Sequence, residues 1–245
     1  MIKFGPVALA FALAVSSAAG ATTITLDTTT LPSLQGWNYI AVGDGASVLE
    51  GGAYSIIGGE LHQNTLGIGM TTGGANYYTH SVTLGATEAW SLTMVARLNS
   101  FESVINPKYP FGLFMGSDDA IAVGFGSNNL QYLGDAGLAS APLPGGFNAS
   151  DYNTYRLTVS GGNLHSFSIN GTSVFSNKAF LGGNPALIGF GDGTGFANAN
   201  ADIRSLQFVS DGVPEPTTWA LMISGFGLAG GALRQRRRAS VVRAC

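Results

Sequence analysis

The sequence predicts an all-β body, folded as a two-sheet antiparallel β-sandwich, with a targeting segment at each end. Residues 22–212 contain short runs of alternating apolar and polar residues, the pattern of half-buried strands. Glycine and asparagine separate these runs, and glycine alone supplies 36 of the 245 residues. An amphipathic helical pattern is absent from that range of the sequence, whereas an apolar stretch with basic neighbours lies near each end.

Residues 1–21 are predicted to be a secretory signal peptide. Lys3 supplies the positive charge at its start, and Phe4–Val15 is an almost unbroken apolar run. Ala19, Gly20 and Ala21 then place small residues where signal peptidase reads its substrate. We therefore expect cleavage before Thr22, with cleavage after Ala19 as the near alternative.

Thirteen strand segments are predicted between the two ends. The clearest runs from Trp90 to Leu98, where every second residue is apolar. Asn170-Gly171 predicts a two-residue hairpin turn, and the Pro- and Gly-rich segment 139–150 is predicted to be a long connection. The predicted strands are Ile24–Leu26, Tyr39–Val42, Ala53–Ile57, Glu60–Gln63, Tyr77–Leu84, Trp90–Leu98, Phe111–Met115, Ala120–Phe125, Leu130–Leu133, Tyr155–Val159, Leu164–Ile169, Thr172–Phe175 and Ala201–Val209. Strands of this number and spacing favour two packed sheets.

Charge and cysteine usage exclude several classes of function. Residues 22–212 contain thirteen acidic but only five basic residues, whereas nucleic-acid binding requires a basic surface. The only cysteine is the last residue, Cys245. Disulfides within the chain and cysteine-based metal sites are therefore excluded, and we expect no nucleic-acid partner.

Residues 213–239 contain three features in a fixed order. Pro214, Glu215 and Pro216 come first, followed by the apolar stretch 219–233, which we predict to be a transmembrane helix. Its 15 residues are short for a bilayer core, but Trp219 suits one membrane interface and long arginine side chains suit the other. The arginines expected to keep the tail in the cytoplasm are Arg234, Arg236, Arg237 and Arg238.

This arrangement resembles the PEP-CTERM protein-sorting signal, a segment also labelled the ice-binding protein C-terminal domain. The resemblance implies a Gram-negative envelope, export by the general secretory route and an inner-membrane intermediate. Pro214, Glu215 and Pro216 would be recognised by an exosortase, and the product would reach the cell surface or the extracellular matrix. The family is associated with exopolysaccharide and biofilm matrix. The ice-binding label describes the sorting segment and predicts no antifreeze activity of the body.

The second half of the body resembles concanavalin A-like, or laminin-G-like, jelly rolls. The resemblance rests on 155–159, on 167–172 with its Asn-Gly hairpin tip, on 188–193 and on the returning segment 201–208. It implies that the last strand lies beside the first. Glucanases of this fold carry the carboxylates of a Glu-x-Asp-x-x-Glu strand, which this sequence lacks. We therefore expect no enzyme activity, and a glycoside hydrolase-like enzyme remains the alternative.

Two sets of residues are candidates for ligand binding in the body. Asp118, Asp119 and Asp192 are candidates for Ca²⁺, although turn-forming roles are the simpler interpretation of these aspartates. Otherwise we expect no cofactor. The aromatic residues Trp37, Tyr109 and Tyr132 are candidates for stacking on a sugar.

The remaining aromatic and histidine residues are assigned structural positions. Trp90 is predicted to lie in the core, because it alternates in phase with Leu92. His62, His80 and His165 are predicted to be solvated histidines on strands. The expected function is that of an exported, non-catalytic surface or matrix component, and binding of exopolysaccharide by its body is a further expectation.

Overall fold

A computed structural model describes most of the body and a small part of the C-terminal segment. The described residues are 21–68, 73–85, 88–103, 111–116, 121–125, 129–134, 137–160, 164–179, 186–193, 195–212, 222–226 and 228. Residues 21–212 form a compact unit of their own. The predicted signal peptide, 1–21, lies outside the described residues except for Ala21.

The described chain forms two antiparallel sheets, whose strands are numbered here along the sequence. Sheet A has the spatial order β13 (Thr172–Ala179), β12 (Leu164–Ile169), β11 (Asn153–Ser160), β6 (Trp90–Ser103), β15 (Ala197–Ser210), β4 (Glu60–Asn64) and β3 (Tyr54–Ile57), with β1 (Thr23–Leu26) also paired to β15. Sheet B has the order β10 (Gly137–Pro142), β9 (Asn129–Gly134), β8 (Ile121–Phe125), β7 (Gly112–Met115), β14 (Leu187–Asp192), β5 (Gly74–Ser81) and β2 (Asn38–Gly43). Two 3₁₀ turns, Pro32–Gln35 and Asp44–Ser47, and the short helix α1, Glu50–Ala53, connect strands. The fold class predicted for the body is confirmed.

The core lies between the two sheets and draws large side chains from both. Leu92 and Phe208 enter it from sheet A, and Tyr78, Phe190 and Leu113 enter it from sheet B. All five are at most 1% exposed, so this apolar area is almost fully removed from water. Burial of each such side chain favours folding by about 1.5–3 kcal/mol. The alternation that places them inward is the one visible in the sequence.

The Asn-Gly hairpin predicted from the sequence is present between β12 and β13. Asn170 and Gly171 have φ values of 51° and 80°, so both central residues of the turn lie in the left-handed region. Asparagine and glycine tolerate that region better than other residues, which explains the pair at this tip. The last residue of β12, Ile169, then pairs directly with the first residue of β13, Thr172.

All thirteen predicted segments overlap strands, and two further strands were missed. The prediction that 139–150 is a connection is wrong for its first four residues, because β10 continues to Pro142. A proline is accepted there because β10 is an edge strand, paired only with β9. Strand β14 was missed because Gly189 and Gly191 interrupt its apolar alternation, although its backbone pairs on both sides.

His165 corrects the prediction that all three histidines are solvated. It is 3% exposed and lies in β12 in phase with the buried Phe167 and Ile169. Its ring contacts Trp90, with the two ring centroids 6.4 Å apart. Trp90 itself is 3% exposed, which confirms its predicted core position.

The C-terminal segment is described only at residues 222–226 and 228, which are helical. They lie within the predicted span 219–233, and the rest of that span lies outside the described residues. None of the helices in the described ranges is both long enough and apolar enough to cross a membrane.

Burial of His165 predicts a pH dependence of stability. Burial lowers the pKa of His165 from 6.5 to about 3. The unfolded chain therefore binds a proton below pH 6.5 while the folded chain does not, so the free energy of unfolding falls as the pH drops from 6.5 towards 3. His165→Gln should remove this component. We expect urea unfolding between pH 6.5 and 5 to show a flatter pH dependence for H165Q than for the wild type.

The matched control is His80→Gln, since His80 also lies on a strand but remains partly exposed. Comparison with H80Q separates the effect of burying a histidine from the effect of removing one. Equal slopes for H165Q and the wild type would contradict the assignment to His165.

Candidate functional site

A row of small residues crosses the outer face of sheet B. Tyr77 in β5 pairs with Gly191 in β14, Gly191 pairs with Gly112 in β7, and Gly112 pairs with Gly124 in β8. The row continues to Gln131 in β9. We call Gly124, Gly112 and Gly191 the glycine floor. Adjacent strands are about 4.8 Å apart, so the floor leaves three neighbouring strands without side chains at this level.

Alternation along the strands places this row on the face opposite the core, except at Gly191, whose positive φ turns its Cβ position towards the Tyr54 hydroxyl. Tyr78, Phe190, Leu113 and Leu130 are buried core residues, and each is the sequence neighbour of a residue in the row. Successive side chains in a strand point to opposite faces. The row therefore belongs to the outer face of sheet B, where Tyr77 is partly exposed while Gly112, Gly124, Gly191 and Gln131 are themselves buried.

Tyr77 and Phe114 form an aromatic platform at one side of the glycine floor. Both are partly exposed, and their ring centroids are 5.5 Å apart at an interplanar angle of 61°. A Cβ atom added to Gly193 would lie 2.5 Å from the Phe114 ring, and one added to Gly189 would lie 3.4 Å from it. The ring therefore occupies space that these two glycines leave open. Because the two rings are inclined to each other, one ring at a time can lie parallel to a ring-shaped ligand.

The core fixes one residue of the floor. Gly191 has a φ of 120°, and a Cβ atom there would collide with the Tyr54 hydroxyl inside the sandwich. That hydroxyl donates to the carbonyl oxygen of Asn76 over 2.7 Å. Glycine is therefore required at 191 by the backbone conformation and by the core beneath it.

Gln131 lies at the other side of the glycine floor. It is 4% exposed, and its Oε1 atom is a buried oxygen without a hydrogen-bond partner in the described part of the chain. Buried polar atoms are nearly always paired, because an unpaired one is costly. Gln131 therefore adds unused hydrogen-bonding capacity beside the floor.

The face is electrically neutral at the positions that define it. The neighbouring row contains Phe114, Gly189, Thr79 and Asn38, and none of the described side chains in the two rows is charged. Burial raises the pKa of the Tyr77 hydroxyl, which therefore stays protonated and available as a donor at neutral pH. This chemistry suits an uncharged, hydroxyl-bearing ligand.

Two of the three aromatic candidates named from the sequence, Trp37 and Tyr132, lie elsewhere. Trp37 is 3% exposed and packs edge-on against Phe190 and His80, at 5.1 Å from each ring, a position that does not suit stacking on a sugar. Tyr132 packs against the core, with its ring 4.6 Å from that of Phe175 in the opposite sheet. Tyr109 lies outside the described residues. Tyr77 and Phe114 could have been found from the sequence, because each is next to a core residue, Tyr78 or Leu113, and therefore faces the other side of its strand.

The calcium candidates are not brought together among the described residues. Asp192 is 1% exposed at the end of β14, and one of its oxygens accepts a 2.6 Å hydrogen bond from the Thr65 hydroxyl. Asp118 and Asp119 lie outside the described residues, so calcium binding there stays a prediction. Across the described ranges, no group of three His, Cys, Asp or Glu side chains is placed to hold a metal.

The carboxylate of Glu102 is also committed to contacts within the fold. It accepts a 2.9 Å hydrogen bond from the Asn198 amide and another from the backbone N–H of Gly67. Glu102 and Asn198 are paired residues of β6 and β15 in sheet A, whereas Asp192 belongs to sheet B. Neither carboxylate lies in the two rows of the glycine-floored face.

The outer face of sheet A carries a dense polar network centred on Asp202. One carboxylate oxygen contacts His62 Nδ1 at 2.6 Å, and the other accepts hydrogen bonds from Arg97 at 2.8 Å and Asn99 at 3.0 Å. Burial acts to raise the pKa of Asp202, but donation from Asn99, His62 and Arg97 outweighs it and holds the pKa below its usual value. The Asp202 carboxylate therefore connects three neighbouring strands of sheet A, namely β15, β4 and β6.

Tyr152 extends the same network to the start of β11. The guanidinium carbon of Arg204 lies 3.6 Å from the Tyr152 ring centroid, and that of Arg97 lies 4.8 Å from it. The Tyr152 hydroxyl donates to Glu60, whose other oxygen accepts a 2.9 Å hydrogen bond from Arg204. Each charged group already has an opposite partner, so this surface is a structural connection rather than an open ionic site.

An open groove of about 560 Å³ lies next to this network, between residues 98–101 and 147–150. The exposed ring of Phe101 borders it, but its amide side chains are already engaged. Asn99 donates to Asn200 and Asp202, and Asn148 bonds within its own turn. The groove therefore offers fewer free polar groups than the face of sheet B.

The C-terminal segment of the chain is similar to a known protein family. Residues 212–238 match the family described as the PEP-CTERM protein-sorting motif. The chain carries a PEP-CTERM sorting motif. This motif implies export to the cell envelope or surface, with processing by an exosortase. The match covers the predicted segment 213–239 to within one residue. No curated protein shows a significant match to the chain.

Solved structures of similar shape confirm the fold of the body. A protein with a galectin-like fold from Bacillus subtilis is 12% identical, with a TM-score of 0.51 over 81% of this chain and 99% of that one. A native glycosidic hydrolase is 12% identical, with a TM-score of 0.50 over 79% of this chain and 97% of that one. At such identity the likeness concerns the fold alone, and it agrees with the expected concanavalin A-like jelly roll.

The network around Asp202 predicts a local contribution to stability. Asp202→Ala would leave the donors of His62, Arg97 and Asn99 without their common acceptor. We expect the free energy of unfolding to fall by about 1–3 kcal/mol. Chemical denaturation of the full chain measures this change.

The control is Asp27→Ala, because the exposed carboxylate of Asp27 accepts its described hydrogen bonds from the nearby Thr29 alone. D27A should cause a smaller loss. A loss for D202A no larger than that for D27A would show that the network does not stabilise sheet A.

Proposed function

We propose that this protein is a non-catalytic component of the cell surface or extracellular matrix that binds a neutral polysaccharide through the glycine-floored face of sheet B. The sorting motif supports the location, since it implies export and exosortase processing. The uncharged face with its aromatic platform supports the binding role. The observation that carries the binding role is the pair Tyr77 and Phe114 beside a floor without side chains.

The chemistry of the face favours a neutral glycan over an acidic one. Sugar rings present flat C–H surfaces and many hydroxyl groups, which match aromatic rings and uncharged polar groups respectively. An acidic polysaccharide would favour arginine or lysine at the contact. The arginines described on sheet A, Arg97 and Arg204, are instead paired with Asp202 and Glu60.

The same positions argue against hydrolysis. Glycoside hydrolases use a pair of carboxyl groups flanking the scissile bond. The two described rows of the face contain no carboxylate, and Asp192 and Glu102 are bonded within the fold. The proposal is therefore a binding function without catalysis.

The route to the surface forms the second part of the proposal. Signal peptidase removes residues 1–21, and the segment 219–233 holds an intermediate in the inner membrane of a Gram-negative cell. Exosortase then acts at Pro214, Glu215 and Pro216, while Arg234–Arg238 stay in the cytoplasm. The sequence order of these features and the match at 212–238 support this route.

Removal of the platform rings tests the binding role. Tyr77→Ala and Phe114→Ala should each weaken binding of the host's neutral exopolysaccharide fraction about 5–30-fold, because buried aromatic contacts dominate binding energy. Binding is measured by calorimetry on the full chain in detergent, with neutral and acidic fractions separated by anion exchange.

Phe101→Ala is the matched control, because Phe101 is 41% exposed in β6, on the other sheet. F101A should bind as the wild type does. Wild-type binding that is absent, confined to the acidic fraction, or unchanged by Y77A and F114A would contradict the proposed site.

Replacement of the sorting element tests the route. A variant with Pro214, Glu215 and Pro216 changed to alanine should remain unprocessed in the inner membrane, because the enzyme no longer recognises its substrate. Cell fractionation with immunoblotting measures the precursor and its product.

Alanine at the adjacent Thr217 and Thr218 is the control, and that variant should be processed normally. Release of the triple-alanine variant at the wild-type rate would overturn the sorting assignment.

A further inference from the structure

The end of β15 is held on both sides at the point where the sorting motif begins. On one side, Ser210 N donates to Thr22 O over 2.8 Å, and Thr22 N donates to Ser210 Oγ over 3.2 Å. On the other side, Asp211 N donates to Ala89 O over 3.0 Å. The body therefore fixes the backbone up to the last residue before Gly212.

Glu88 extends this hold to Gly212, the first residue of the matched motif. Glu88 is 4% exposed, and its Oε1 accepts a 3.2 Å hydrogen bond from Gly212 N. Its Oε2 accepts a 2.8 Å hydrogen bond from Gly85 N, and Glu88 N donates to Gly85 O over 3.0 Å. A single buried carboxylate thus joins the exit of the body to the turn that precedes β6. We call these contacts of Glu88, Ala89 and Thr22 the exit clamp.

Burying a carboxylate for this purpose is costly unless hydrogen bonds compensate. Backbone N–H groups of Gly85 and Gly212 supply that compensation, one to each oxygen. The clamp therefore adds a side-chain hydrogen bond at Gly212, beyond the last backbone contact of the strand end.

The exit clamp lies very close in sequence to the residues that the exosortase is proposed to recognise. Only Val213 separates Gly212 from Pro214. A single residue spans at most about 3.6 Å of chain, so the sequence leaves little length between the clamp and the motif. An enzyme that recognises Pro214, Glu215 and Pro216 must fit directly against the folded body, or wait until the chain at Asp211 and Gly212 detaches.

We propose that the exit clamp, through Glu88, limits access of the processing enzyme to the sorting motif. This inference rests on the proposed sorting route. Processing proceeds from the detached state of residues 211–212, so its rate follows the fraction of molecules in which the clamp is open. Glu88 acts as a positioning residue and takes no part in the cleavage chemistry.

The central experiment compares processing rates of full-length variants in a host with the exosortase. Glu88→Ala removes both hydrogen bonds and should raise the population of the open state about tenfold. The product should accordingly appear faster in a pulse-chase measurement. Glu88→Gln keeps an acceptor oxygen for Gly212 and should stay closer to the wild-type rate.

Two controls separate this effect from general destabilisation. Glu102→Ala removes the contacts of another carboxylate with Asn198 and Gly67, near the opposite end of β6, and should leave the rate unchanged. Six Gly/Ser residues inserted between Gly212 and Val213 should speed processing by themselves. In that background, E88A should add nothing, because the clamp no longer limits access.

A direct measurement of the clamp uses hydrogen exchange of the full chain in detergent. The amides of Asp211 and Gly212 should be protected in the wild type and exchange about tenfold faster in E88A. Unprotected wild-type amides, equal processing rates of E88A and wild type, or equal acceleration by E102A would each overturn the proposal.

Failure of the proposed sorting route and failure of the proposed clamp give different results in these experiments. A wild-type chain that is not processed at all in the exosortase host would contradict the route itself, and with it the role of the clamp. A chain that is processed normally but insensitive to E88A and to the spacer contradicts the clamp alone.

Discussion

The pairing of β6 with β15 is the constraint on which the rest of the body depends. Each strand has fourteen residues, and they are paired from Trp90–Ser210 to Ser103–Ala197. A slip of one residue by either strand would turn the core side chains of that strand outward. The same register sets Asp202 opposite Arg97 and brings the end of β15 to the segment before Trp90. The register of β6 and β15 therefore determines the core, the network around Asp202 and the position at which the chain leaves the body.

The two outer faces of the sandwich have opposite chemistry. On sheet A, charged residues such as Asp202 and Arg204 are paired within the fold, and their contacts connect neighbouring strands. On sheet B, the described rows are uncharged, and Gln131 retains an unpaired oxygen. Satisfied polar groups stabilise a structure but offer little to a ligand, whereas a neutral aromatic face loses little on desolvation. This difference directs the binding role to sheet B.

The body and the sorting segment divide the function between them. The motif at 212–238 implies export, and in the proposed function the face of sheet B makes the contact with a ligand. In the sequence, β15 ends at Ser210 and the matched segment begins at Gly212, so the proposed exit clamp lies where the two parts of the chain meet.

The sequence by itself determined the all-β class, thirteen strand positions, the Asn170-Gly171 turn and the sorting motif. These depend on local properties: side-chain alternation, turn preference and a short contiguous pattern. Tertiary structure alone decided that Trp37 is a core residue, that His165 is buried and that three glycines align across β8, β7 and β14. Such features join residues far apart in the chain, and strand register creates them. The register of the strands depends on the total energy of contacts throughout the sandwich. A local sequence pattern therefore does not reveal it.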